Sequence, residues 1–125
     1  MAYSSFEDLE VWRRASRLAV ETYRVLADSR DYGLKDQMTR SAVSIASNIA
    51  EGAERGTTAE FIRFIRIAKG SAAELRTQCN IAKEIGAISQ PLKINELIAE
   101  LKEISSMLQG LVVALQNKID RIPPL

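Results

Sequence analysis

Leu97, Leu101, Ile104, Leu108, Leu111 and Leu115 recur at alternating steps of four and three, and this seven-residue repeat restricts the fold more than any other feature of the chain. An α-helix gathers such positions on one side, whereas a strand would scatter them over both faces. The stripe covers one side of its helix only, so that helix needs neighbours.

Three further segments have the same grammar. Phe61, Ile65, Ala68, Ala72, Leu75, Cys79 and Ala82 keep a seven-residue repeat, Met38, Ala42, Ile45, Ile49 and Ala53 follow steps of three and four, and Leu9, Trp12, Ser16, Ala19, Tyr23 and Leu26 do likewise. Punctuation separates them. Ser5 with Asp8 makes a capping box, Asp31-Tyr32-Gly33 closes the first connection, Gly56 with Thr57 the second, and Gly86 followed by Pro91 the third; Pro123-Pro124 ends the last helix. The predicted helices run over about residues 7–28, 34–54, 58–85 and 91–121.

Connections this short make consecutive helices antiparallel neighbours, so the expected fold is an all-α, antiparallel, up-and-down four-helix bundle filling residues 1–125 as one domain. Reflecting the first two helices about their loop brings Trp12 near Ala46, Ile49, Ala50 and Ala53. The same construction sets Gly110 near Ala68 and Phe64, and Gly70 opposite Ala42, which reads as close helix contact at both glycines.

Composition narrows function. Seventeen basic and sixteen acidic residues leave a net charge of +1, so any nucleic-acid contact must come from a local patch. There is no histidine, which removes the commonest general base near neutral pH, and no helix has the Glu-x-x-His pairs of di-iron bundles. Cys79, the only cysteine, falls on an inward stripe where a thiol acts as a small hydrophobe. The expectation is a non-enzymatic protein with no cofactor and no metal. No apolar run reaches membrane-spanning length, and Met1 to Asp8 lacks a secretory pattern; a reduced, cytoplasmic setting is expected.

The second helix also carries a polar ladder: Gln37, Arg40 with Ser41, Ser44, Asn48 and Glu51. Two uses fit it. The ladder either holds helices together, with Arg40 paired to Glu74 across the hairpin, or lines a small-molecule site around Asn48, Glu51 and Arg40.

Phe6, Leu9 and Trp12, then Gly33-Leu34, Gln37 and Arg40, then Ser44 and Asn48-Ile49-Ala50-Glu51-Gly52, then Phe61, Ala68, Gly70-Ser71 and Glu74 together resemble the four-helix-bundle proteins encoded in bacterial 23S rRNA intervening sequences. That resemblance implies a short bundle assembled as a closed homopentamer, with no established enzymatic activity. More distantly, the chain is similar to the pentameric accessory proteins of diversity-generating retroelements, which bind a reverse transcriptase and nucleic acid.

Arg63, Arg66, Lys69 and Arg76, with Lys83 beyond them, gather on one flank of the third helix, with Glu60 and Glu74 on the other. They are candidate phosphate contacts, joined by Arg13, Arg14 and Arg17, or else a solvated face. Opposite charge on two flanks also suits head-to-tail contact between copies in a ring. Ile62, Ile67, Ile98 and Val112, with Ile94, lie outside the inner stripes and are the expected oligomer interface. The partner expectations are therefore other copies of this chain and RNA or a ribonucleoprotein, with no membrane; the rival reading is a protein-interaction scaffold with no nucleic-acid role.

Overall fold

The structure is a computed structural model and describes residues 5–121; the Pro123-Pro124 stop lies outside them. A 3-10 turn at Phe6–Asp8 leads into α1 (Glu10–Val25), α2 (Tyr32–Glu54), α3 (Thr58–Glu84) and α4 (Pro91–Asp120). The helices run alternately up and down. Each packs against its two neighbours, α1 closing on α4, and among the described residues the backbones of diagonal helices stay more than 8 Å apart at Cα.

Local chemistry sets the helix ends. Ser5 and Asp8 form the expected capping box, though on the 3-10 turn, and α1 proper begins after Leu9. The Asp31 carboxylate accepts from the Leu34 N–H, so α2 starts two residues earlier than the periodicity implies. Thr57 accepts from the Glu60 N–H at the head of α3, and Pro91 opens α4. Gly56 and Gly86 have φ of +90° and +68°, left-handed values that stop α2 and α3 at little steric cost.

The interior is one apolar cluster. Met38, Ala42, Ile45 and Ile49 of α2, Ile65, Ala68, Leu75 and Cys79 of α3, and Leu101, Ile104 and Leu108 of α4 have no exposed surface. The first helix departs from its reading. Ala19 and Leu26 are buried as expected, but the rest of the buried side is Val11, Ala15, Leu18, Thr22 and Val25, one position round from Trp12, Ser16 and Tyr23, and Tyr23 is exposed. Trp12 is half-buried at the α1–α2 boundary, meets Phe6 edge to face at 5.2 Å, and shares a groove with Ala46 and Ala50.

Two packing expectations are corrected. A methyl group built on Gly70 or Gly110 would meet nothing within 4 Å, so neither glycine marks a close helix contact. Gly52 does: its added Cβ would lie 2.6 Å from the Phe64 Cβ and 3.1 Å from the Phe61 ring. The expected outer aliphatics also move inward. Ile62, Ile94 and Val112 are buried in the chain's own core and Ile98 packs partly buried against it, because α3 and α4 meet over a broader face than their central stripes define. Of that set Ile67 alone is exposed, at 43%.

Candidate functional site

The polar ladder becomes a seam between α2 and α3. Ser44 and Ser71 hydroxyls meet at 2.8 Å, the Ser41 hydroxyl donates to Glu74 Oε1 at 2.9 Å, and the Asn48 amide donates to the Ser44 carbonyl and hydroxyl at 2.8 and 2.9 Å. The Ser44–Ser71 and Ser41–Glu74 rungs cross between antiparallel helices, so a step of three down α2 is matched by a step of three up α3, while Asn48 bonds within α2.

Arg40 does not join the seam. Its side chain is 78% exposed and turns to Asp36, four residues back on the same helix, at 3.0 Å. The expected Arg40–Glu74 pair is thus replaced by Ser41–Glu74, since a residue advances about 100° around a helix and Ser41, not Arg40, points at α3. Glu51 likewise pairs along its own helix, with Arg55 at 2.6 Å. The grouping of Asn48, Glu51 and Arg40 as one ligand site therefore dissolves.

One register step beyond Ser41–Glu74, Gln37 stands opposite Gln78. Gln37, Arg40, Ser41, Ser44, Glu74 and Gln78 line an open cleft of about 370 Å³. Gln78 is buried, and its Oε1 has no hydrogen-bond partner among the described residues. Sequence reading passed over Gln78, although its place seven residues after Ser71 and four after Glu74 puts it on the same stripe of α3.

The cations of α3 divide. Lys69 reaches Gln109 Oε1 at 2.5 Å and Lys83 reaches Asn95 Oδ1 at 3.0 Å, both on α4. Arg63 contacts Glu60 at 3.3 Å and stacks over the Phe64 ring, 4.9 Å from its centroid, opposite Arg55 at the same distance. Arg66 and Arg76 have no acidic partner among the described residues.

The arginines of α1 stand apart from these, on the diagonal helix. Arg13 contacts Asp8 at 3.8 Å and donates to the Glu7 carbonyl, and Arg17 lies 3.9 Å from Glu10. Arg14 makes a two-pronged pair with Glu100 of α4, at 2.8 and 2.6 Å. The hydrogen bond to Glu100 raises the Arg14 pKa, and the same bond from Arg14 holds the Glu100 carboxyl below its ordinary value. Arg14 is thereby a tie between helices rather than a phosphate contact.

Burial pushes the Cys79 thiol up to about 12, so it stays protonated and poorly nucleophilic near neutral pH. Among the described residues no helix is long and apolar enough to cross a membrane. Between α1 and α2, Phe6, Trp12, Ala19, Val43, Ala46 and Ala50 line a mainly apolar groove of about 380 Å³. Sequence reading did not anticipate this groove, because it assigned Trp12 and its small neighbours wholly to the interior.

Residues 7–110 match the family model for 23S rRNA-intervening sequence proteins. No curated protein matches the chain.

Proposed function

The chain belongs to the family of 23S rRNA-intervening sequence proteins, and from that premise we propose that it is a non-catalytic, self-associating accessory protein that holds RNA along the flank of α3 beside α4. The observation that carries this reading is uncompensated charge. Arg66 and Arg76 have no acidic partner among the described residues, and Lys69 and Lys83 next to them meet only neutral amides, while Glu74 of the same helix is occupied on the α2 side. Phosphate oxygens supply the acceptors that such a row of cations lacks. Arg63 contributes less, because Glu60 already contacts it.

Titration of a labelled single-stranded RNA across a salt series tests the reading by fluorescence anisotropy. Affinity falls steeply with salt, and Arg66→Gln and Arg76→Gln each lower the slope of log affinity against log salt by about one. Absent binding at low salt, or an unchanged slope in the double variant, sinks it.

The alternative, a protein-interaction scaffold, draws on the α1–α2 groove. Val43 of its lining is 41% exposed, and Val20 and Tyr23, on the same α1 that contributes Trp12 and Ala19, are exposed at 49% and 54%. Recurrence along one seam distinguishes them from scattered surface aliphatics. Self-association through this groove accords with both readings, and the two differ in whether RNA binds.

A further inference from the structure

The seam between α2 and α3 has two made rungs and one unmade. Ser44 meets Ser71 and Ser41 meets Glu74, but at the next step the side chains of Gln37 and Gln78 are not hydrogen-bonded among the described residues. Gln37 is exposed to solvent. Gln78 is not: at 9% exposure its Oε1 is cut off from solvent, and a buried acceptor without a donor is destabilising. Glu74, four residues earlier on the same face of α3, uses Oε1 for Ser41 and has no partner for its other oxygen among the described residues.

Glu74 and Gln78, one carrying a charge and the other a stranded acceptor just beneath the surface, both line a cleft of about 370 Å³ that opens to solvent. Arg40, which also lines the cleft, pairs with Asp36 rather than with Glu74. An anion would be repelled by Glu74, and a water would satisfy Gln78 without neutralising the carboxylate. We propose that the Gln37–Gln78 end of the α2–α3 cleft binds a cationic hydrogen-bond donor, a guanidinium or primary ammonium group, held between the Glu74 carboxylate and the Gln78 carboxamide oxygen. Residues four apart on a helix stand about 5–6 Å apart at Cβ, a span that one planar guanidinium bridges with two of its N–H groups.

The group has two sources: a free organic cation, or an arginine or lysine side chain of a second copy of this chain. Both offer the same chemistry, and one titration separates them. Methylguanidinium chloride is added to 15N-labelled protein at fixed ionic strength while the side-chain amide signal of Gln78 is followed. A saturable shift is expected, with a midpoint about tenfold weaker in Glu74→Gln, because a charge-assisted hydrogen bond is lost. Gln78→Met, close in shape and without the acceptor, keeps the fold, identifies the signal by its loss, and raises the unfolding temperature by removing the stranded oxygen.

A midpoint that weakens as protein rises from micromolar towards millimolar identifies a competing side chain from another copy; a constant midpoint identifies a free cation. Failure of the Gln78 signal to shift, or an equal midpoint in wild type and Glu74→Gln, overturns the proposal and leaves the cleft to water.

Discussion

Gly52 sits against Phe61 and Phe64 of α3, and its missing side chain is what permits that contact. A Cβ there would press on the Phe64 Cβ at 2.6 Å and the Phe61 backbone oxygen at 3.3 Å, neither of which is the far end of a flexible chain. Gly52→Ala is therefore expected to destabilise by about 1–3 kcal/mol despite alanine's better helix propensity. Gly70→Ala and Gly110→Ala have the opposite sign, because both positions are exposed mid-helix and the new methyl meets nothing. There propensity alone decides, and each gains about 0.5–1 kcal/mol. Urea midpoints at unchanged m-value separate the three; a neutral Gly52→Ala would show that α3 can retreat. Cys79 offers a second check at this scale. With its pKa raised by burial to about 12, it is expected to react with a thiol reagent at neutral pH only as fast as the chain opens, so added denaturant accelerates labelling and a surface-thiol rate in its absence contradicts the packing.

At the scale of elements, α1 is held least. It is the shortest helix, 16 residues, and its seam with α4 is the sparsest of the four, which gives the Arg14–Glu100 pair unusual weight. Because the bond from Arg14 lowers the Glu100 pKa, folded protein binds a proton there less readily than unfolded chain does. The pair's contribution is accordingly complete above the ordinary glutamate value of about 4.3 and disappears as pH falls below it. Both side chains are partly exposed, at 27% and 33%, so about 1 kcal/mol is the appropriate scale. Glu100→Gln should unfold at a lower temperature than wild type at pH 7, with the gap closing in acid; a gap that persists there would mean packing, not charge, is responsible. The elements themselves were largely legible in the sequence. The stripes of α2, α3 and α4 are built of aliphatics whose side of the helix is unambiguous. In α1 the large aromatics misled: Trp12 and Tyr23 are amphipathic and settle at the boundary. Thr22 reads as polar yet is buried, because its hydroxyl donates to the Leu18 carbonyl at 2.7 Å. Partner choice across the seam was illegible for a related reason. Arg40 and Ser41 are adjacent in sequence, and only the rotation of α2 decides which of them meets Glu74.

For the whole molecule, the rotation of the helices also decides which aliphatics remain for contacts between copies. Reading stripes alone left Ile62, Ile98 and Val112 outside, but the broad α3–α4 face absorbs them; the exposed large apolar side chains are spread over all four helices, and Val20, Tyr23 and Val43 are those of α1 and α2 that go with the groove. The groove lined by Trp12, Val43, Ala46 and Ala50, with Val20 and Tyr23 beyond it, is a surface that a second copy would dry. A face of one kind meeting a different face on the next copy makes a directional contact, which closes into a ring when the rotation per copy allows. Val20 and Val43 are both exposed, so a Val20→Glu, Val43→Glu protein should keep its helical content and lose little stability as a single subunit. A carboxylate buried at an interface without a partner is costly, however, and two of them outweigh the apolar area the contact gains. Sedimentation at micromolar concentration is therefore expected to give a multiple of the chain mass for wild type and the mass of one chain for the double variant. If the variant keeps the wild-type mass, copies meet elsewhere. If wild type itself sediments as one chain, the groove is left for a different protein, and the scaffold reading gains at the expense of self-association.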